Sequence, residues 1–356
     1  MSRALSGSGH VSFELLKKQV IDRDLCEGCG LCAGTCKSIT MVDGRPKLTG
    51  KCILDRGADH CGRCFDICPQ AHPEQVPAEM EEPLLAVSVR AKDESIQVVA
   101  SNGGFVTALF KHLLETGEVE AVIGIVGGKY APQAAVAEKP EDVLKLAGTR
   151  YSPSGVMTKL IEQQKKTRGQ LAVVGMPCEL RGVSRWEEML GISVLKIGLF
   201  CSNNMRKDES GKATKMTPCD HCTDFIGVHA DISCGFAGSG KGYTTAIALT
   251  ERGREVLQKA LDASLFDVTE PNLDRVKASQ QRKSKRSPAE IDMPLREKIL
   301  ATLVSSGPAD TVSISESLEA KAEKVHYHLL VLQQEGFVEL HENPSDPYRL
   351  EWHATQ

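Results

Sequence analysis

Cys26-Glu27-Gly28-Cys29-Gly30-Leu31-Cys32-Ala33-Gly34-Thr35-Cys36 sets four cysteines at spacings of two, two and three residues. A second block, Cys52-x8-Cys61-x2-Cys64-x3-Cys68-Pro69, repeats the short spacings and closes on the Cys-Pro step of bacterial ferredoxin motifs. Eight of the thirteen cysteines therefore fall within this one segment. A [4Fe-4S] cube needs one thiolate per iron, and a loop that turns after each cysteine wraps three sulfurs around three corners. In two-cluster ferredoxins the last cysteine of each block ligates the other cube. That rule assigns Cys26, Cys29, Cys32 and Cys68 to one cluster and Cys36, Cys52, Cys61 and Cys64 to a second. Gly28, Gly30, Gly34 and Gly62 suit such loops, because glycine tolerates positive φ and lets N–H groups approach the sulfides. Structural zinc fits worse: a tetrahedral ion has no use for the third and fourth cysteines of each block.

The 356 residues suffice for about two or three domains. A formal charge of -4 gives no global case for nucleic acid, and no run approaches the roughly eighteen apolar residues of a membrane helix. Met1 to His10 is polar and Gly/Ser-rich, unlike a signal peptide, so the expected compartment is the reducing cytoplasm, where thiols stay free.

The pattern divides the chain into four parts: a ferredoxin-like two-cluster domain over 1–82, an α/β domain over 83–277, a basic linker over 278–291 and a winged-helix domain over 292–356. Ala71 to Pro83, with three prolines and several glutamates, reads as the exit from the first. In the second, helices are predicted over Phe105 to Glu115 and Met157 to Lys166. Strands are predicted over Ala121 to Val126, Leu171 to Val174 and Ser193 to Phe200, an alternation that argues buried, largely parallel strands. Arg282-Lys283-Ser284-Lys285-Arg286-Ser287-Pro288 reads as a solvated linker. Leu295 to Ser305, Ser313 to Ala320 and Lys321 to Gln334 read as helices. Phe337 to Leu340 and Tyr348 to Trp352, joined through Asn343-Pro344-Ser345-Asp346-Pro347, read as a hairpin.

Cys178 and Cys201 follow predicted strands, where open α/β sheets bind cofactors, and Cys219-x2-Cys222 supplies two more thiols. Together they are candidates for a third [4Fe-4S] cluster, with zinc or separate buried thiols left open by spacing alone. Cys234 reads as a buried structural cysteine. Residues 101–104 open a helix with small residues, as a phosphate cradle would. Gly128 and Lys129 offer a vaguer candidate. Thr149, Arg150, Tyr151 and Ser152 bring hydroxyls and a guanidinium with a fixed fork of donors. Gly235-x4-Gly240-Lys241 imitates a P-loop, but Gly242 replaces the Ser or Thr that would hold magnesium, and Thr244 to Thr250 is β-prone rather than helical.

Ser101-Asn102-Gly103-Gly104-Phe105-Val106-Thr107-Ala108, Gly148-Thr149-Arg150-Tyr151-Ser152, Val174-Gly175-Met176-Pro177-Cys178, Ile197-Gly198-Leu199-Phe200-Cys201, Cys219-x2-Cys222 and Ala230-Asp231-Ile232-Ser233 follow in an order that resembles the coenzyme F420 hydrogenase and dehydrogenase beta subunits over roughly Ser101 to Phe266. The resemblance implies FAD bound near Ser101, Asn102, Gly103, Gly104, Thr107, Gly128, Lys129, Thr149, Arg150, Tyr151, Ser152, Pro177, Gly238 and Lys241. It also implies a [4Fe-4S] cluster on Cys178, Cys201, Cys219 and Cys222, hydride exchange with coenzyme F420, and ferredoxin or a larger oxidoreductase complex as electron partner. No side chain is assigned as a catalytic acid. The alternatives are a ferredoxin-dependent reductase of another organic substrate and a redox-sensing winged-helix regulator.

Two features depart from that pattern. Only the seventeen residues from Ser202 to Pro218 separate Cys201 from Cys219, where relatives have a longer insert. The winged helix is an addition, and residues 292–356 carry five Lys or Arg against eleven Asp or Glu. DNA affinity comes largely from neutralising phosphates, so this domain is expected to dock protein or dimerise rather than to read DNA.

Overall fold

The computed structural model describes residues 13–53, 61–208, 210–291, 295–344 and 346–355, with the side chains of Pro347 and Tyr348 excluded. Met1 to His10, residues 54–60 between Cys52 and Cys61, Glu209, the start of the expected C-terminal domain at Asp292, and Ser345 lie outside them. The described residues form two compact units, 13–290 and 291–355.

In the larger unit the thiol-bearing segment supplies α1 (Phe13–Leu16), α2 (Leu31–Thr35), the hairpin β1 (Ile39–Val42) and β2 (Arg45–Leu48), and α3 (Arg63–Asp66). A layered domain follows: β3 (Leu85–Ala91), α4 (Glu94–Val99), α5 (Phe105–Glu115), β4 (Ala121–Gly128), β5 (Ala131–Ala137), α6 (Val156–Gln164), β6 (Leu171–Gly175), α7 (Pro177–Leu190) and β7 (Leu195–Leu199). After a small hairpin, β8 (Met205–Lys207) with β9 (Ala213–Lys215), come β10 (Ile232–Gly235), β11 (Thr244–Ala248), α8 (Glu251–Asp262), β12 (Phe266–Thr269) and α9 (Leu273–Lys283).

Eight strands form one sheet in the order β12-β3-β11-β10-β7-β6-β4-β5. Only its centre, β10-β7-β6-β4, is parallel; β5, β11, β3 and β12 join antiparallel. The expectation of a largely parallel sheet is corrected accordingly. Two short connections, residues 129–130 between β4 and β5 and the glycine turn between β10 and β11, leave no room for a crossover and force antiparallel pairing. Alternate residues of the central strands serve different cores. Val122, Ala172, Leu195 and Ile197 join Phe105, Leu109, Phe110 and Leu257 on one face. Ala121, Ile123, Leu171 and Val173 join Met157, Leu160, Trp186 and Leu31 on the other. Burial on both faces explains why these strands read as unbroken apolar runs.

The thiol segment shares that second core. A Cβ at Gly30 would stand 2.2 Å from Thr158 Oγ1, and one at Gly182 would stand 2.2 Å from Leu31 Cδ1, so α2 approaches α6 and α7 at backbone distance. Met157 N donates to Cys29 O at 3.1 Å, and Arg181 and Arg185 donate to the carbonyls of Pro69 and Asp66 at 2.6 Å each. The exit segment after Pro69 is irregular yet anchored: Ala71 and Val76 are buried, and Val76 N donates to Thr223 Oγ1 at 3.0 Å. The basic stretch differs more. Residues up to Lys283 continue α9, and Lys283 is only 4% exposed, so this part is no solvated linker.

The smaller unit holds α10 (Leu295–Ser306), α11 (Thr311–Ser317), α12 (Ala322–Gln334) and the antiparallel ribbon β13 (Val338–Asn343) with β14 (Asp346–Ala354). Its core joins Ile299, Leu303, Ile314, Val325, Leu329, Leu332 and Val338 around Trp352, whose indole N–H donates to Thr311 Oγ1 at 3.0 Å.

Candidate functional site

All thirteen cysteines are free thiols. In the N-terminal segment Gly28 and Gly30 have φ of 76° and 85°, turning the chain after Cys26 and Cys29 as a tight thiol loop requires. Gly62 has φ of -116° and Gly34 lies inside α2, so the positive-φ role expected of them does not apply. Gly34 is small for packing, since a Cβ there would meet Ile161 Cδ1 at 2.8 Å.

The fold gathers the thiols into three neighbourhoods. Cys32 senses the charge of Cys68 and Cys26, and Cys29 that of Cys32 and Cys68. Cys64 senses Cys36, Cys61 and Cys52, and it also touches the field of Cys32, where the two groups adjoin. Burial pushes Cys26 up to about 11 against a hydrogen bond from the Gly28 backbone, and burial followed by the neighbouring Cys36, Cys61 and Cys52 pushes Cys64 up to about 12. Sulfurs crowded this way persist as thiolates only around a multivalent cationic core, and an iron-sulfur cube fits that donor set. Among the described residues no three His, Cys, Asp or Glu groups are arranged to hold a single metal ion.

Cys178 lies in the first turn of α7, Cys201 just beyond β7, Cys219 in the turn Thr217–Asp220 and Cys222 after it. Cys178 neighbours Cys222 and Cys201, and Cys201 neighbours Cys222 and Cys219. Burial pushes Cys201 up to about 12, and Asn204 N donates to Cys219 Sγ at 3.0 Å. This set also fits a cube. Its surroundings contain two cations that composition concealed, Lys283 and Arg286, which donate to the carbonyls of Cys201 and Cys219 at 2.6 Å each.

Between the loop before α5, residues 146–156, the start of α7 and the β10–β11 turn lies a cleft of about 580 Å³. Ser101, Asn102, Gly104, Thr107, Thr149, Arg150, Tyr151, Ser152 and Lys241 line it. Its rim is held by backbone bonds. Ser101 Oγ accepts from Thr149 N at 2.7 Å, Gly103 N donates to Thr244 Oγ1 at 3.0 Å, and Asn102 Nδ2 donates to Tyr243 O. Arg150 donates through Nε to Gly127 O at 2.6 Å and through Nη1 to Ala147 O and Gly148 O, which fixes its guanidinium at the wall. Tyr151 donates to Phe200 O at 2.7 Å, and burial raises its phenol. Gly104, with φ of 74°, caps α5 and leaves the N-terminus of this eleven-residue helix facing the cleft, where an anionic phosphate is favoured.

Five expected residues do not line it. Gly103 lies beneath the loop, where a Cβ would stand 2.3 Å from Val89 O, and Gly238 turns toward Asn272 O. Gly128 ends β4 and Lys129 sits in the β4–β5 turn, lying over the Tyr130 ring, and Pro177 is buried at the first position of α7. Conversely, Glu179, Phe236 and Cys234 line the cleft without having been expected there. Burial pushes the Glu179 carboxyl up to about 8, although it accepts from Met176 N at 2.8 Å. Phe236 is 77% exposed at the mouth. Glu27, buried between the first and third sets, accepts from Gln70 Nε2 at 2.7 Å and interacts with the thiols of Cys178 and Cys29; burial raises its pKa. Glu27 and Glu179 each adjoin a cysteine in sequence, and only the fold marks them.

Family models described as coenzyme F420 hydrogenase/dehydrogenase, beta subunit, match at residues 86–161 for the N-terminal part and 209–273 for the C-terminal part. The coenzyme F420-dependent sulfite reductase of Methanocaldococcus jannaschii is 26% identical over 337 residues, covering 79% of this chain and 52% of that protein. The chain thus spans about half the length of that relative. A subunit of the F(420)H(2) dehydrogenase of Methanosarcina mazei is 25% identical, covering 72% of this chain and 89% of that protein. The coenzyme F420 hydrogenase subunit beta of Methanothermobacter thermautotrophicus is 26% identical, covering 56% and 91%. A chain of the F420-reducing [NiFe] hydrogenase complex from Methanosarcina barkeri superposes with a TM-score of 0.52 at 24% identity, over 60% of this chain and 92% of that one, a likeness of fold.

Proposed function

This chain belongs to the family of coenzyme F420 hydrogenase/dehydrogenase beta subunits, and from that premise we propose that it is an F420-dependent iron-sulfur flavoprotein that exchanges a hydride with coenzyme F420 and relays single electrons to or from ferredoxin or a partner oxidoreductase subunit. FAD would occupy the cleft, held by the α5 N-terminus, residues 101–104 and 149–152, and Lys241. Bound there, it would supply the conversion between a two-electron hydride and single electrons, which [4Fe-4S] clusters carry one at a time.

The observation that carries the reading is the junction at the start of α7. Met176 and Glu179 line the cleft while Cys178, between them, belongs to the third thiol set. Glu27 then lies against both Cys178 and Cys29, and Cys32 adjoins Cys64. These contacts support a path in which electrons would pass from the cleft through the third set and the first set to the second. Arg150, immobilised on three backbone carbonyls, orients what enters the cleft, and the apolar walls around Phe105, Val156 and Leu199 exclude water. We read the three helices and ribbon of residues 295–354 as a winged helix whose acidic balance favours docking to protein, or dimerisation, over DNA.

Anaerobically purified protein should contain FAD and about twelve irons and should bleach with reduced coenzyme F420. Cys219→Ser should remove about four irons and the third cluster's resonance while FAD and the other two clusters remain. Protein that holds flavin and iron but responds to neither reduced F420 nor reduced ferredoxin, and binds DNA in a redox-dependent way, would instead be a regulator.

A further inference from the structure

The basic run that begins at the end of α9 is built into the third thiol set. Val276 and Gln280 of α9 are fully buried. Gln280 accepts from Phe225 N at 2.8 Å and donates to Pro77 O at 2.9 Å and Thr223 O at 3.1 Å, so the helix is locked against the loop that carries Cys219 and Cys222. Its last residue, Lys283, is 4% exposed and donates through Nζ to Cys201 O at 2.6 Å, and the Cys222 and Cys201 thiols beside it raise its pKa against the effect of burial. Arg286 donates through Nη1 to Ser202 O at 3.1 Å and Cys219 O at 2.6 Å, and through Nη2 to Asn203 Oδ1 at 3.2 Å.

A buried ammonium is costly unless something negative sits beside it. Asp224 senses Lys283, but its carboxylate oxygens are committed to Gly227 N at 2.7 Å and Val228 N at 3.1 Å. Among the described residues no carboxylate forms an ion pair with Lys283. What faces it is the set Cys201, Cys222 and Cys178. As thiolates these would compensate the ammonium, and burial keeps solvent from screening the interaction.

We propose that Lys283 and Arg286 are positioning residues that set the reduction potential of the cluster held by Cys178, Cys201, Cys219 and Cys222, two fixed cations that stabilise its reduced form. This rests on reading those four cysteines as [4Fe-4S] ligands. Reduction adds one negative charge to the cluster, and potentials of such clusters respond to net charge, to hydrogen bonds on the sulfurs and to exposure. Both cations touch the loops that bear the ligands, so they strengthen binding of the added electron next to the flavin cleft.

The test is an anaerobic redox titration of the full-length holoprotein followed by electron resonance, with iron counted in each sample. Lys283→Met keeps the apolar stem and removes the charge; Arg286→Gln removes the second cation at a more exposed position. Lys283→Met should lower the third cluster's midpoint by a tenfold change in its reduced-to-oxidised ratio or more, about 59 mV for a one-electron couple. Arg286→Gln should lower it by less, and Lys283→Arg should restore the wild-type value. The other two clusters should keep their midpoints. Full iron content with an unmoved third-cluster midpoint in both variants overturns the inference. Should Lys283→Met lose the cluster, Arg286→Gln decides alone, and an unmoved midpoint there overturns it. Wild-type protein with no third cluster signal would refute the four-cysteine reading itself, an outcome distinct from a signal that does not shift.

Discussion

Gly103→Ala tests whether the floor of the cleft is built as described. A Cβ on Gly103 would stand 2.3 Å from Val89 O, 2.6 Å from Thr244 N and 2.9 Å from Thr244 Oγ1. Restoring ordinary contact at about 3.4 Å requires a movement of about 1 Å, and the obstructing atoms are mainly backbone of β3 and β11, which closely packed sheets do not yield easily. Residues 101–104 must give instead. Gly103 would then lose its bonds to Thr244 Oγ1 at 3.0 Å and from Ala91 N at 2.7 Å, and the N-terminus of α5 would shift out of the cleft. Overpacking of this kind costs about 1–3 kcal/mol. Expressed at the cleft, that is roughly 5- to 150-fold weaker FAD binding; expressed in the fold, it is a lower urea midpoint. Equilibrium dialysis with FAD and urea unfolding at neutral pH separate the two. Gly128→Ala is the matched control, because a Cβ there meets nothing within 4 Å. A Gly103→Ala protein with wild-type flavin affinity and wild-type midpoint would refute the steric argument.

Asp24 ties the first cysteine block to the loop before Cys219. It accepts from Arg206 at 2.9 and 2.7 Å, from Thr217 at 2.6 Å and from Arg45. Burial pushes its carboxyl up, but those hydrogen bonds outweigh it and hold Asp24 at about 2. A depressed folded-state pKa stabilises above the ordinary carboxylate value and ceases to as pH falls through about 2. Because Asp24 is partly exposed, Asp24→Asn should cost about 1–2 kcal/mol at pH 7 after allowance for screening. The difference from wild type should shrink as the pH drops from 4 toward 2; a pH-independent difference in urea midpoint would contradict the assignment. In the C-terminal unit, Asp310 caps α11 by accepting from Ser313 N at 2.8 Å, and that bond, helped by Arg349, lowers its pKa despite some burial. Asp310→Ala should cost about 1 kcal/mol near neutral pH, read as a lower melting temperature of that unit, with the loss fading in acid once the wild-type carboxyl is protonated.

What the sequence exposes and what it conceals divide along contact range. The cysteine blocks are legible because ligand spacing is a local property: turns after Cys26 and Cys29 place sulfurs wherever the rest of the chain goes. The helix at Phe105–Glu115 and the apolar strands are legible for the same reason, since periodicity is a short-range signal. The sheet's mixed direction required knowing that β3 and β12 attach beyond β11, a long-range pairing set by which edges remain open.

Composition misleads most in the basic stretch. Four charged residues in the seven from Arg282 to Pro288 look solvated, because a lysine in water costs nothing and a buried one does. That inference fails where the chain carries thiols that need a counter-charge, and nothing local links Lys283 to Cys201, 82 residues away. Glu27 and Glu179 show the converse. A glutamate beside a cysteine looks like surface filler, yet each is nearly fully buried, at 4% and 3% exposure, because the cysteine it follows must face inward toward its set. A buried cation is therefore to be sought wherever a sequence collects more ionisable sulfur than its own backbone can compensate, as Lys283 shows, whereas Glu27, whose pKa burial raises, stands between two sets as a hydrogen-bonding carboxyl and compensates neither.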